Sequence, residues 1–348
     1  MERRICKNAD LELSVIGTGC WSFGGGEYWG PQNQKDVNEI IHASVELGIN
    51  YFDTAETYNE GRSESSLGEA IKGIPREKFL IGSKVSPSNC YRKLLVEHCE
   101  KSLKRLQADY IDLYMIHWPI HPHSLKHFTD DLNIINNPPD SGEAIDTLAK
   151  LKTEGKIRHF GVSNFSRTRL TGILSKEIAV NELPYNLLCR AVEFDILSFC
   201  EQNGIGVIGY MPLLQGILAD IYPTFNDIPD WQKRTRHFNY KNARESRHGE
   251  EGAEDETKAA LEGIRQICKG TGFSMAEIAL KWTLANSAIK CILTGSRNLE
   301  ELQKNIKSVQ NPLSEDIKKA LDEVTLPLMI KLKNHFDYYE SAENDRTL

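Results

Sequence analysis

Apolar positions along the chain follow two spacings in turn. Short β-rich runs occur at Val15–Gly19, Ile49–Asp53, Phe79–Lys84, Tyr110–His117, Ile157–Ser163, Ala179–Glu182, Gly206–Tyr210 and Ile289–Thr294. Between them apolar residues recur every three or four positions, the spacing of a helix face, at Gln34–Leu47, Glu64–Lys72, Tyr91–Leu106, Gly142–Glu154, Glu193–Asn203, Met275–Ala285 and Asn298–Lys307. Gly48, Gly155 and Gly204 stand where a helix C-terminus calls for a left-handed residue. Eight strands alternating with helices imply parallel βαβ units, and eight is the number that closes a barrel. A doubly wound open sheet rarely needs so many regular repeats. The pattern therefore predicts an α/β fold, a (β/α)8 TIM barrel. It forms a single domain over 1–348, with the barrel at about 5–310 and a helix and tail over 311–348.

Two stretches interrupt the repeat. Residues 121–141, rich in His, Asp, Asn and Pro, follow the fourth strand, and residues 218–256, polar and aromatic, follow the seventh. Both leave the carboxyl ends of strands, the face on which barrel enzymes build their sites. After a helix-like piece at Glu315–Val324, the polar tail reads as partly frayed.

Composition narrows the class without naming a function. The chain has 348 residues, 40% of them hydrophobic and 26% charged, as in an ordinary globular protein. With 42 Lys+Arg against 49 Asp+Glu, its formal net charge is −7. That mild acidity argues against nucleic acid or an anionic membrane as a partner, and no apolar run is long enough to span a bilayer. The first residues carry charge but no apolar h-region follows, so they do not read as a secretory signal. The eight cysteines are scattered with no C-x-x-C pair, which reads as reduced thiols packed as small hydrophobes. Cys20, beside a Gly-rich turn, is the one whose exposure matters. A cytoplasmic enzyme is the expectation, with nothing to set its oligomeric state.

The residues that close the strands carry the chemistry. Asp53 closes the second, with Tyr58 in the loop beyond; Lys84 closes the third, His117 the fourth, Ser163-Asn164 the fifth, Glu182 the sixth, Tyr210 the seventh and Thr294-Gly295-Ser296 the eighth. Singly, each has a plain reading as a helix anchor, a solvated charge or a satisfied core histidine. In a closed barrel, however, strand ends converge on one mouth, so Asp, Tyr, Lys and His would meet there.

Several longer segments run in order along the chain: Gly48-Ile49-Asn50-Tyr51-Phe52-Asp53-Thr54-Ala55 followed by Tyr58-Asn59 and Gly61-Arg62-Ser63-Glu64, then Ile81-Gly82-Ser83-Lys84. They continue through Asp109-Tyr110-Ile111-Asp112-Leu113-Tyr114-Met115-Ile116-His117-Trp118-Pro119 and Gly155-Lys156-Ile157-Arg158-His159-Phe160-Gly161-Val162-Ser163-Asn164-Phe165. In these the chain resembles the aldo-keto reductases, carbonyl reductases dependent on NAD(P)H and built on this barrel. The resemblance implies a catalytic tetrad of Asp53, Tyr58, Lys84 and His117. The physical logic also stands alone. Hydride addition to a carbonyl makes an alkoxide, which needs a proton. A phenol is a weak acid at neutral pH, a neighbouring ammonium eases its release, and an imidazole can bind the substrate oxygen.

By resemblance, Ser163 and Asn164 hold the nicotinamide carboxamide and Tyr210 stacks on the ring. Gly19, Cys20 and Trp21 bring backbone close to the cofactor, and Asn305 contacts adenine. The Gly17-x-Gly19 turn is not a Rossmann fingerprint, lacking the third glycine and the βαβ unit. Gly295, Ser296 and Arg297 open a helix whose amides and guanidinium suit a phosphate. Two positions depart from the family pattern. Glu182 replaces a Gln that contacts the nicotinamide amide, and Glu301 stands where Gln or Arg is common. Arg297 favours NADP(H) and Glu301 favours NAD(H); the Arg is given more weight, so NADP(H) is expected. Trp21, Trp29 and Trp118 are expected to line the substrate pocket, with 121–131 and 233–247 adding polar contacts for a small carbonyl or sugar.

Two other functions fit parts of the sequence. His117, His121, His123 and His127 cluster as in zinc hydrolases, but the further ligands at other strand ends are missing, so no metal is expected. Some family members act as redox-sensing regulatory subunits that bind NADP with little turnover; the complete tetrad points instead to an enzyme.

Overall fold

A computed structural model describes residues 1–348 except Ser175, Lys176 and Arg244, so the part of the 218–256 stretch at Arg244 lies outside the described residues. The strands are β1 (Arg3–Cys6), β2 (Leu11–Ser14), β3 (Ile16–Gly19), β4 (Tyr51–Asp53), β5 (Leu80–Val85), β6 (Ile111–Ile116), β7 (Ile157–Ser163), β8 (Ile178–Pro184), β9 (Gly206–Tyr210) and β10 (Ile289–Thr294). Strands β3 to β10 close a parallel barrel in the order β10-β3-β4-β5-β6-β7-β8-β9, so the (β/α)8 barrel read from the alternation is the fold. All eight predicted strands are present within a few residues of their expected bounds. Strands such as β6 and β8 are buried along their whole length, as a sheet covered on both faces requires.

The outer layer contains α1 (Gln34–Glu46), α2 (Arg62–Ala70), α3 (Arg92–Leu106), α4 (Pro122–Leu125), α5 (Leu132–Asn136), α6 (Ser141–Thr153), α7 (Arg167–Ile173), α8 (Ile196–Gln202), α9 (Glu254–Thr271), α10 (Met275–Leu284), α11 (Leu299–Ser308) and α12 (Glu315–Leu332). Local chemistry sets the ends. Asn33 caps α1 by accepting from the Lys35 amide, and its buried face is Val37, Ile40, Ile41 and Ser44. Gly48 then turns the chain at φ 90°, as the sequence predicts for a residue beyond the helix.

Several elements were not predicted, among them α4 and α5 within the 121–141 stretch, the β1–β2 hairpin, α7 and α9. The β1–β2 hairpin places Cys6, Leu11 and Leu13 in one cluster with the lumen residues Tyr51, Leu113, Met115, Val180, Ile208, Cys291 and Leu293, so it plugs one end of the barrel. Helix α7 is a short helix capped by Ser166. Helix α9 overlaps the end of the 218–256 stretch, because Glu254, Asp255 and Glu256 form its acidic first turn, where carboxylates favour the helix N-terminus.

The tail corrects the sequence reading. It was expected to fray, yet His335, Phe336, Asp337, Tyr338, Glu340, Asp345, Arg346 and Thr347 are all buried. Ser166 donates its amide to Thr347 O at 3.3 Å, which seats the tail beside the β7–α7 turn. Two of its buried charges neutralise each other rather than being hydrated. Asp337 binds Arg346 through both carboxylate oxygens, at 2.7 Å each.

Candidate active site

Strand parity assembles the site. Side chains alternate between the two faces of a strand, so Tyr51 and Asp53, Gly82 and Lys84, Met115 and His117, Val180 and Glu182, and Ile208 and Tyr210 share the lumen side. The hairpin seals one end, and the polar member of each pair lies at the other. The sequence therefore brings Asp53, Lys84, His117, Glu182 and Tyr210 to one mouth, as the strand ends predict.

Lys84 is fully buried and is the hub. Its Nζ lies 2.5 Å from Asp53 Oδ1, 3.2 Å from Thr54 O, 3.3 Å from Glu182 Oε1 and 3.4 Å from Tyr58 OH. Burial alone would strip its proton, but Asp53, Glu182 and Tyr58 outweigh it and hold the ammonium above its ordinary value. Tyr51 donates its hydroxyl to Asp53 Oδ2 at 3.2 Å, fixing the carboxylate from below. The Tyr58 phenol is also pushed up, by burial first, with Lys84 pulling the other way. The expected easing of the phenol by Lys84 is thus present but smaller than the effect of burial.

A strained turn positions Tyr58. Asn59 and Glu60 both adopt left-handed backbone, at φ 51° and 59°. The Asn59 amide holds the turn by donating to Trp21 O and Phe23 O, at 2.8 Å each. The His117 ring stands edge-on to Tyr58 with centroids 5.5 Å apart, and its Nδ1 lies 3.4 Å from Thr57 Oγ1. Burial, then Lys84 and Arg346, hold His117 well below the ordinary imidazole value, so the ring is neutral.

Beside this cluster, Asn164 donates to Ser163 Oγ at 2.9 Å and to His117 O at 3.2 Å, and accepts from Tyr210 OH at 2.7 Å. Ser163, Asn164 and Tyr210 thus form one polar platform. Cys20 is completely buried, with burial raising its thiol well above the ordinary range, so the exposure looked for there is absent. Gly19 ends β3, and the Cys20 amide bonds Asp53 O at 2.8 Å.

The rim opposite holds the phosphate-binding candidates. Arg297 donates to Trp29 O and Pro31 O, both at 2.8 Å, and forms no ion pair among the described residues. Glu301 accepts from the Arg297 amide at 2.8 Å and from Asn298 Nδ2 at 3.1 Å. Asn305 reaches Ser296 Oγ at 3.2 Å and Gly295 O at 3.4 Å. Thr294 Oγ1 and Trp29 Nε1, on this same rim, are buried without a partner among the described residues.

Aromatic residues line the approach. Trp21 stacks on Tyr28 at 5.1 Å and lies 6.0 Å from the Tyr58 ring; Trp29 meets Trp21 edge-on at 5.2 Å. The Arg346 guanidinium lies over Trp118 at 4.0 Å, so the tail forms a wall of the mouth. The sequence gives no sign of this, nor of Tyr51 and Thr57 as supports, although the parity of Tyr51 with Asp53 could have revealed the first. The histidine cluster does not gather. His121 and His123 meet edge-on at 4.8 Å while His127 faces Glu340 at 3.4 Å. No group of three or more His, Cys, Asp or Glu placed to hold a metal occurs among the described residues.

The fold and this mouth define a barrel with a buried Lys–Asp pair behind a phenol and a neutral imidazole. The family model for the aldo/keto reductase family matches residues 15–325, and the chain belongs to that family of oxidoreductases. It is 30% identical over 328 residues to an NADH-specific methylglyoxal reductase of Escherichia coli (strain K12), covering 88% of this chain and 93% of the relative. A solved thermostable aldo-keto reductase in complex with the inhibitor epalrestat superimposes with TM-score 0.71 and 28% identity, covering 93% of this chain and all of that one. An aldo/keto reductase of Klebsiella pneumoniae solved with NADP and acetate matches with TM-score 0.68 and 24% identity, over 93% of this chain and 96% of that one. No helix among the described residues is long and apolar enough to cross a membrane.

Proposed function

We propose that the protein reduces a small aldehyde, ketone or sugar carbonyl to the alcohol, using NADP(H) in preference to NAD(H), with Tyr58 as general acid. The observation that carries this reading is Lys84 Nζ lying 2.5 Å from Asp53 and 3.4 Å from the Tyr58 hydroxyl at the mouth of the barrel. A bound reduced nicotinamide supplies the hydride. Every other task falls to the chain. Tyr58 donates its proton to the carbonyl oxygen, Lys84 stabilises the phenolate that develops, and Asp53 keeps Lys84 aimed. Neutral His117 offers a proton from Nε2 to the substrate oxygen, the tautomer in which Nδ1 accepts from Thr57 Oγ1, 3.4 Å away. The residues present fit a nicotinamide dinucleotide. Ser163, Asn164 and Tyr210 would hold and stack the nicotinamide, and the unpartnered Thr294 Oγ1 and Trp29 Nε1 face the same rim as Ser296, Arg297 and Asn305.

NADP(H) is favoured because the charge of Arg297 is opposed by no carboxylate within ion-pair distance among the described residues, while both oxygens of Glu301 serve its helix cap. The aromatic-walled mouth suits a carbonyl compound, and the relative named a methylglyoxal reductase makes that dicarbonyl the first candidate. The eight free cysteines support a cytoplasmic location.

The test is loss of NADPH and NADH absorbance over a panel of methylglyoxal, aliphatic aldehydes, aromatic ketones and sugars. Repeated turnover of at least one carbonyl is expected; a single slow turnover with every substrate would favour a redox-sensing subunit instead. Tyr58→Phe should lose about 10²–10⁴-fold in turnover while still binding NADPH, and a variant that keeps most of its rate would overturn the assignment.

A further inference from the structure

That reading leaves one buried acid without a role. Glu182, on β8, reaches across the lumen to put Oε1 3.3 Å from Lys84 Nζ. The residue is 3% exposed, and its Oε2 has no hydrogen-bond partner among the described residues. Lys84 is already matched by Asp53 at 2.5 Å. One ammonium therefore serves two carboxyl groups in a space closed to water. A second buried negative charge without a cation of its own is strongly disfavoured, and a proton is the remaining way to balance it.

We propose that Glu182 is a positioning residue that keeps a proton beside the Lys84–Asp53 pair, and that losing this proton slows carbonyl reduction in alkaline solution. The proposal rests on Tyr58 acting as the acid. Burial, and then the charge of Asp53, push the Glu182 carboxyl up to about 8 against the opposing pull of Lys84. The other ionisable groups facing it do not change this balance. Burial pushes Tyr51 on β4, Tyr210 on β9 and Cys291 on β10 well above their ordinary values, so they stay neutral, and Ser163 on the adjacent β7 carries no charge. Only Asp53, Lys84 and Tyr58 remain. As the Tyr58 O–H bond breaks and the new O–H bond forms on the substrate, negative charge grows on the phenol oxygen 3.4 Å from Lys84. With Glu182 neutral, Asp53 alone offsets the field of Lys84. With Glu182 ionised, a second negative charge cancels that field and the phenolate is less stabilised. Reduction should therefore slow as pH rises through the Glu182 titration.

Glu182→Gln tests this, because the amide has the carboxyl's shape and stays neutral at every pH. Under single-turnover conditions with saturating NADPH, the wild-type rate should fall at least about fivefold between about pH 7 and about pH 9.5, while the variant falls less than about twofold. A deuteride isotope effect would confirm that hydride transfer is being read. A second readout needs neither cofactor nor turnover. The infrared spectrum of the wild-type protein should show a protonated carboxylic acid band at neutral pH that disappears on alkaline titration and is absent from Glu182→Gln. Equal pH dependence in both proteins, or no such band in the wild type, would overturn the proposal. Failure of the wild type to turn over any carbonyl would instead defeat the functional reading and the rate effect with it, while the band would still decide whether Glu182 holds the proton.

Discussion

Two ionic clusters, one buried in the lumen and one partly buried in the tail, meet at the mouth of the barrel, and they are built on opposite principles. In the tail cluster acids and bases are matched. Arg346 binds Asp337 twice, Arg247 faces Glu340 at 2.5 Å, and Arg236 faces Glu250 at 3.0 Å. Burial alone would raise the Asp337 carboxyl, but Arg346 more than compensates and holds it below the usual carboxylate range. In the lumen one ammonium serves two carboxyl groups and a phenol. The matched cluster holds the tail in place, its acids facing guanidinium groups. The unmatched one keeps titratable groups within reach of each other, as proton transfer requires. Burial of charge alone does not mark chemistry here; the mismatch does.

Removing the shared cation should produce the largest effect. Lys84→Met leaves Asp53 and Glu182 facing each other, and single-turnover reduction should fall by about 10³-fold. A smaller loss would mean that the lumen cluster is as structural as the tail. In the tail, Asp337→Ala strands a buried guanidinium and should destabilise the protein by about 3–5 kcal/mol in urea unfolding, whereas the double change Asp337→Leu, Arg346→Met should recover most of that. No recovery would show that the pair does more than balance itself. Glu182→Gln sharpens the contrast through stability. A carboxyl raised on folding contributes stability that is complete below its unfolded value and lost as pH rises through about 8. The variant should therefore gain on the wild type between about pH 5 and about pH 9, by about 2–4 °C in Tm. Arg297 is a third case, an exposed cation with no acid partner among the described residues. Arg297→Ala should weaken NADPH binding about tenfold and leave NADH within about twofold, as fluorescence titration would show. An equal loss for both nucleotides would assign the side chain to holding the Trp29–Pro31 loop instead.

How much of this was legible follows from which interactions are local. Eight strands could be counted because each carries its own apolar run, and Asp53, Lys84 and His117 could be placed together because barrel closure brings every strand end to one mouth. The tail could not be read, because Asp337, Glu340, Asp345 and Arg346 look solvated until their partners are known, and the partners of Glu340 come from the distant loops. The contact of Glu182 with Lys84 was equally hidden. By resemblance that position contacts the nicotinamide, and only the distance across the lumen shows it turned towards the ammonium. Helix α9 was missed because its charged first turn reads as an extension of the polar loop before it.

Beneath the site, a Cβ on Gly82 would lie 2.0 Å from the Tyr51 hydroxyl, the same hydroxyl that steadies Asp53. The two positions are therefore bound together in their history. A lineage that acquires a side chain at Gly82 while keeping Tyr51 loses the phenol from its seat, and Asp53 with it, whereas one that first shortens Tyr51 opens room for the second step. The order of the two changes decides whether a path between sequences is passable, and a library that varies either site alone would miss the combinations that survive.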